Sequence, residues 1–296
     1  MAQFKIAAVL RAPAYSPNHI GNDAAILNMV ADQLRKRGCE VTVYNEDQLI
    51  AGQVEQHVIL NMCRESDSLS ELQRREQAGD LVVNSAYGIE NCIRERMARI
   101  LTGNGLPYPQ SLFVNTDEGV RDALRQAGIE RCWIKRGDHY AKHKEDVTFV
   151  RHAEEAQEIL HEYFMRGISR AVIIRHLEGR LIKYYGVRGT SFFYCFDPLT
   201  SGGTAIVNND TSGAGLPCDP QQIRDYCNRA AEAVDVTIYG GDCIVANDGS
   251  ITIVDLKDWP SFAPCRHAAA PVIAREVLRR IRACPTKNVN ARAGNR

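Results

Sequence analysis

The stretch Gly240–Phe262, GGDCIVANDGSITIVDLKDWPSF, reads as two apolar strands, GGDCIVA and SITIVDL, joined by Asn247-Asp248-Gly249. Asp-Gly between apolar runs is the strongest short-range hairpin signal a chain can carry. The hairpin sets Asp242 and Asp255, thirteen residues apart, on paired antiparallel strands. Two carboxylates brought together in a largely apolar sheet repel and raise one another's pKa. A bound divalent cation removes that conflict. Oxygen-only ligands suit Mg2+, which takes one or two carboxylates and completes its shell with phosphate oxygens and water. Either aspartate alone reads as a solvated strand end; the pair in one hairpin favours a metal. Side chains alternate along a strand, so Lys257 shares a face with Asp255. Asp258 faces the other way and reads as a turn residue before Trp259-Pro260.

Further cations lie inside apolar strands. Lys135 ends CWIK, and Lys183 sits in RLIKYYGV among Ile182, Tyr184, Tyr185 and Val187. An ammonium on the inner face of a half-buried sheet needs an anion, and phosphate is the obvious one. Arg94 lies on the helix before GLPYP. Lys142 and Lys144 lie in the loop RGDHYAKHKE, placed to close over a ligand; His139 and His143 there are candidate acid–base groups or simply solvated.

The opening half alternates strand and helix. FKIAAVL, EVTVY, HVILNM and LVVNS read as strands; AAILNMVADQLRKRG (capped by Asn22 or Asp23), Glu65–Gln77 and IENCIRERMARILTGNG read as helices. This alternation predicts a parallel sheet covered by helices, ending near residue 107. The second half mixes strands (SLFV, RCWIK, DVTFV and the run AVIIRHLEGRLIKYYGVRGTSFFYCF) with helices beginning at Thr116, at Glu154 and in PQQIRDYCNRAAEAV. The terminal RHAAAPVIAREVLRRIRA reads as an amphipathic helix interrupted by Pro271, and 285–296 is expected to be disordered. The expected units are 1–107, 108–175 and 176–284.

The chain has 296 residues, 36 Lys and Arg against 36 Asp and Glu, and ten cysteines. Zero net charge provides no global field for nucleic acid or an anionic membrane, so anionic ligands must be held by local clusters. No two cysteines form a CxxC pair, and several sit in apolar runs, which argues against zinc and for reduced thiols in a cytoplasmic protein. MAQFKIAAVLRAPA has too short an apolar run for a signal peptide and reads as a first core strand. No run approaches the length of a membrane span. Dimers are the commonest soluble assembly, so a homodimer is a candidate, but the sequence leaves the oligomeric state open.

These residues resemble the ATP-grasp ligases, which include D-alanine–D-alanine ligases, glutathione synthetases and amino-acid-tail ligases, over most of the chain. NCIRERMARILTGNGLPYPQSLFV is similar to the helix leading into that family's nucleotide-binding unit, and WIK to its phosphate-binding strand. IIRHLEGRLIKYYGV resembles its adenine-lining hinge. The hairpin is the most specific match: Asp242 and Asp255 match the two metal-binding acids, and Pro260-Ser261 the closing turn. The resemblance implies an α/β fold with an N-terminal Rossmann-like parallel-sheet domain and two α+β subdomains clasping ATP and one or two Mg2+ ions. It implies adenine contacts at His176 and Leu177, ribose near Glu178, and phosphates near Arg94, Lys135 and Lys183. Three departures stand out. Arg94 replaces a Lys, the loop after Lys135 lacks a Gly-Ser-rich character, and Lys257 replaces a metal-binding Asn. Lys257 either contacts the γ-phosphate in place of a second ion or pairs with Asp255 and weakens metal binding.

The implied activity is an ATP-dependent carboxylate–amine or carboxylate–thiol ligase working through an acyl phosphate on small-molecule or peptide substrates. Lys183, Arg188 and Lys257 are the candidate catalytic residues. Arg188 is a candidate for the substrate carboxylate, as its fork allows, or a plain surface charge. Asn18, His19 and Asp23, beyond the first strand, are candidate substrate contacts. The alternatives are a small-molecule kinase resembling the inositol phosphate kinases, a nucleotide-binding module without turnover, and a doubly wound protein with no nucleotide site.

Overall fold

The computed structural model describes residues 4–15, 20–199, 206–207 and 215–284. The first sheet uses β1 (Lys5–Val9), β2 (Glu40–Tyr44), β3 (Val58–Asn61) and β4 (Leu81–Val83) in the order β2-β1-β3-β4, all parallel. Its helices are α1 (Ile20–Arg35), α2 (Glu46–Ile50), α3 (Ser66–Gln77), α4 (Ala86–Asn91) and α5 (Arg94–Gly103). β1 and β3 are buried on both faces, as a parallel sheet covered on both sides requires. On α1, Ile26, Leu27, Val30, Ala31 and Leu34 are fully buried at helical spacing. That helix stops where Gly38 takes φ +85° and Cys39 N–H turns back to Leu34 O (3.1 Å), a conformation glycine adopts without strain.

The second sheet is antiparallel, ordered β5-β8-β6-β7, from β5 (Ser111–Asn115), β6 (Cys132–Arg136), β7 (Val147–Val150) and β8 (Arg170–Arg175). With α6 (Arg121–Gln126) and α7 (Ala153–Met165) it builds its own core around Leu124, Ile134, Leu160 and Tyr163. The third sheet is ordered β11-β10-β9-β12-β13: β9 (Arg180–Val187), β10 (Phe193–Phe196), β11 (Ile206–Val207), β12 (Ile238–Val245) and β13 (Ile251–Asp258). Helices α8 (Pro220–Ala233) and α9 (Arg266–Ala283) complete it, and α9 runs through Pro271 unbroken. No described helix is long and apolar enough to cross a membrane.

The first and third sheets share apolar cores. One joins Val9, Ile59 and Leu72 to Tyr184, Cys243 and Ile253; another joins Leu27 and Val30 of α1 to Ile273 and Val277 of α9. The expected boundary near 107 is therefore not a break in apolar packing. Polar contacts reinforce the joint. Buried Asn84 accepts from the backbone N–H of Thr237 and Ile238, both 2.8 Å, and donates to Ile238 O at 2.8 Å.

Several local expectations change. The helix expected over IENCIRERMARILTGNG is two, α4 and α5, because Ile93 takes extended backbone (φ −60°, ψ 134°). Arg94 thereby becomes the first residue of α5. Neither Asn22 nor Asp23 caps α1, which starts at Ile20; Asp23 lies in its first turn, bound to Arg11 (2.8 Å). The helix expected from Thr116 begins at Arg121, and the Thr116 hydroxyl donates to Ile168 O (2.6 Å) instead. Residues 285–296, expected to be disordered, lie outside the described residues.

Replacing Asn84 by Ala leaves two buried N–H groups of the third sheet without their acceptor, at a cost of about 1–3 kcal/mol each. Asn84→Ala is expected to lower the midpoint of thermal unfolding by at least about 4 °C. An unchanged midpoint in differential scanning calorimetry would show that this joint contributes nothing.

Candidate active site

The hairpin of β12 and β13 closes through Asn247, Asp248 and Gly249, with Gly249 at φ +83° and its N–H on Ala246 O (3.0 Å). Near the turn the register pairs Val245 with Ile251 and Cys243 with Ile253; beyond it, Asp242 pairs with Asp255. Val254 is thus an extra residue, a β-bulge. Without the bulge Asp242 would oppose Val254, and Asp255 would face away. With it, two directly opposed residues share a face, their Cβ atoms about 5 Å apart. Gly241 is fixed by the same close approach: a Cβ there would lie 2.1 Å from Asp255 O.

Cations surround the two carboxylates. Lys183 Nζ, on the adjacent strand β9, meets Asp242 Oδ1 at 2.9 Å. Arg94 Nη1 meets Asp255 Oδ1 at 2.6 Å, and Lys257 Nζ meets Asp255 Oδ2 at 3.1 Å. Burial pushes the Asp255 carboxyl up, but Arg94, Lys257 and Lys135 outweigh it and hold it well below the usual carboxylate range. Asp255 in turn raises Lys257 above the ordinary lysine value. Lys135 is less well compensated. Burial first, then the Arg94 charge, lowers it to about 7.

These six residues line one cavity of about 560 Å³. The loop from Gly137 to Asp146 covers it and docks on the first sheet. His139 stacks on Tyr15 with ring centres 5.5 Å apart, and the Tyr140 hydroxyl donates to Ile89 O. Buried Asp146 shapes the loop by accepting from the Lys142 and His143 N–H groups (2.8 and 3.1 Å) while paired with Arg166. His139, His143, Lys142 and Lys144 all line the cavity. Burial, then Arg136 and Lys142, keep the His139 imidazole below its usual pKa.

Other candidates lie elsewhere. His176, Leu177 and Glu178 form the β8–β9 connection outside the cavity lining; His176 Nδ1 accepts from Trp133 Nε1 (3.2 Å) and Glu178 pairs with Arg131 (2.6 Å). Trp133, Phe149 and His176 form an aromatic cluster, and Trp133 is on the same face of β6 as Lys135. Arg188 is also outside the lining, paired with Asp235 (3.0 Å). Asp23 lines the cavity; Asn18 and His19 lie outside the described residues.

Asp258 is not a turn residue. It is fully buried, pairing with Arg11 Nη2 (3.3 Å) and Arg64 Nη2 (2.8 Å). Arg11, Arg64, Tyr15 and Tyr140 line the cavity and went unread in the sequence. Their signal was present: Arg11 and Arg64 closely follow the apolar strands β1 and β3, at the strand ends where open α/β sheets hold ligands.

The donor set fits one Mg2+ ion. Asp242 and Asp255 share a face, and a bound triphosphate would supply further oxygens. Among the described residues no group of three or more His, Cys, Asp or Glu is placed to hold a metal alone, and Lys257 Nζ holds Asp255 Oδ2 at 3.1 Å.

An ammonium held near 7 costs stability. Between pH 7 and 10.5 the unfolded chain binds more protons at Lys135, so this site adds stability as pH rises through that window, and its cost is fullest below 7. Lys135→Met is expected to raise the melting midpoint of the protein at pH 6–7 by about 3 °C or more. An anion bound against Lys135, with inorganic tripolyphosphate as the probe, is expected to take up a proton on binding and to bind more weakly as pH rises above about 7. Scanning calorimetry and titrations in two buffers check both; a lower midpoint for Lys135→Met contradicts the first.

No protein-family profile and no curated protein matches the chain. Solved structures do. The D-alanine–D-alanine ligase from Bacillus anthracis, complexed with ATP, is 15% identical with a TM-score of 0.70, covering 95% of this chain and 97% of its own. D-alanyl-alanine synthetase A from Vibrio cholerae is 11% identical with a TM-score of 0.70, covering 96% and 99%. The ATP-grasp ligase PsnB, complexed with a minimal precursor, is 18% identical with a TM-score of 0.63, covering 94% and 99%. At such identities the likeness carries the fold.

Proposed function

We propose that this chain, which has the ATP-grasp fold, is an ATP-dependent ligase joining a carboxylate to an amine or thiol through an acyl phosphate. One observation carries the reading: Arg94, Lys135, Lys183 and Lys257 converge in one cavity on two carboxylates opposed across a bulged hairpin. Such a wall binds a polyphosphate and neutralises charge on a transferring phosphoryl group, and that positioning is most of phosphoryl-transfer catalysis. The base would lie along β6 from Lys135 towards Trp133, Phe149 and His176, whose rings offer a stacking surface. The units 1–107, 108–175 and 176–284 form part of the proposal, with the nucleotide between the second and third sheets.

In the first step a substrate carboxylate oxygen attacks the γ-phosphorus, and the bond from that phosphorus to the β–γ bridging oxygen breaks, releasing ADP. Lys183 and Lys135 hold the phosphate oxygens, and Arg94 and Lys257 steady the group in flight. In the second step the amine nitrogen attacks the acyl carbon, the acyl–oxygen bond breaks, and phosphate leaves as the nitrogen loses its proton. Asp242 and Asp255 would hold Mg2+, which supplies charge neutralisation on the phosphates when bound. The loop from Gly137 to Asp146 excludes water that would otherwise hydrolyse the acyl phosphate. Another PsnB structure contains a precursor peptide and AMPPNP, so a peptide carboxylate belongs in the substrate search.

A second reading, nucleotide binding without turnover, is favoured by one observation: both Asp255 oxygens already carry a cation. Hydroxylamine trapping separates the two. With ATP and a panel of carboxylates the ligase forms a hydroxamate, and Lys183→Met lowers its rate by about 100-fold or more. Tight ATP binding with no hydroxamate from any carboxylate supports the second reading instead. A stable phosphate ester from a hydroxyl substrate would identify a kinase.

A further inference from the structure

The cavity lining also holds two arginines with different commitments. Arg11 is saturated: Nη1 bonds Asp23 (2.8 Å), and Nη2 meets Asp258 (3.3 Å) and Trp259 O (3.2 Å). Arg64 is unfinished. Its Nη2 bonds Asp258 Oδ1 at 2.8 Å and its guanidinium lies over the Tyr140 ring at 4.2 Å, but its Nε is buried with no hydrogen-bond partner. A buried donor without an acceptor costs about 1–3 kcal/mol. Arg64 also lines the cavity, so a ligand bound there is one way to complete it. The backbone that carries Arg64 is fixed as well. Buried Glu46 accepts from the N–H groups of Ala12 (2.8 Å), Arg64 (3.2 Å) and Glu65 (3.0 Å). A rigid, planar guanidinium, propped by a carboxylate and a ring, suits a carboxylate ligand.

Spacing and charge define that ligand. Asp258, which holds Arg64, is three residues beyond Asp255, which holds Arg94 and Lys257. Three residues of strand span about 10 Å, and although that odd step sets the two aspartates on opposite faces of β13, the cations they hold, Arg64, Arg94 and Lys257, line one cavity. A molecule with one carboxylate at Arg94 and Lys257 and a second at Arg64 is a short dicarboxylate. The cavity lining carries nine Lys and Arg against five Asp, a surplus of four positive charges. A triphosphate brings roughly four negative charges and a dicarboxylate about two, so one divalent ion closes the balance. A monocarboxylate leaves it positive.

We infer that Arg64 is a specificity-determining residue that anchors a second carboxylate of the substrate, which is a short dicarboxylic acid or an acidic amino acid. The carboxyl remote from Arg64 is the one activated. This rests on the ligase reading above.

The test uses the full chain with succinate, glutarate and L-glutamate against butyrate. It has two readouts: ATP-dependent hydroxamate formation, and the melting shift each acid causes alongside a non-hydrolysable ATP analogue. Wild type is expected to favour at least one dicarboxylate over butyrate by about 100-fold in kcat/KM. Arg64→Met is expected to raise KM for that acid by about 100-fold, with kcat within about threefold and ATP affinity unchanged. Asp258 keeps Arg11 in this variant, so no buried charge is stranded. Arg64→Lys, which retains the charge but loses the fork, is expected to raise KM by about tenfold. The inference is overturned if butyrate serves as well as the dicarboxylates, if none of them produces either response, or if both Arg64 variants leave KM unchanged. A dicarboxylate melting shift that Arg64→Met removes, with no hydroxamate, keeps the anchor and sinks the ligase. Hydroxamate from butyrate and glutarate alike, untouched by either variant, does the reverse.

Discussion

The extra residue at Val254 sets everything at this site. Shifting the hairpin register by one turns Asp255 onto the face of Asp242. Two carboxylates so placed cannot both stay ionised in a half-buried sheet without cations. The chain supplies cations from three directions: Lys183 from the neighbouring strand, Arg94 from the first turn of a helix, and Lys257 from one pleat along. Excess positive charge then falls on Lys135, which burial and Arg94 hold near 7. The site is under electrostatic tension until an anion arrives, the arrangement expected of a binding surface that sacrifices stability for affinity.

Asp258 extends the same strand into the first sheet. Its buried carboxylate ties Arg11 and Arg64 to the hairpin, while Asn84 ties the chain after β4 to the start of β12. Buried pairs of this kind give little net stability but punish any other arrangement. They therefore fix the distance between the cationic wall of the cavity and the strand ends of the first sheet. The covering loop adds a third attachment through Tyr15, Tyr140 and Arg64.

Most elements were legible because their signals are local. The apolar runs gave the strands of the first sheet, and Asp248-Gly249 gave the hairpin. Lys135, Lys183, Asp242, Asp255 and Lys257 could be grouped from their sequence settings, because a charge within or beside an apolar strand demands a partner, whereas Arg94, on a helix, joined them only through the family resemblance. What local signals could not reveal was register and distance. The bulge at Val254 has no residue signature of its own. Asp258 looked like a turn residue because its partners, Arg11 and Arg64, lie 247 and 194 positions away. Arg188 looked like a substrate ligand because nothing in the sequence places Asp235 beside it. The break between α4 and α5 was hidden because Ile93 is neither Gly nor Pro and α5 beyond it is rich in good helix formers.

The central claim is that the two opposed aspartates form a metal-dependent triphosphate site. Calorimetric titration of wild type and Asp255→Asn with ATP, with and without Mg2+, tests it most directly. The account predicts that Mg2+ tightens wild-type binding by at least about tenfold, or 1.4 kcal/mol, and that Asp255→Asn loses this dependence. Equal ATP affinity with and without Mg2+ in both proteins would contradict it.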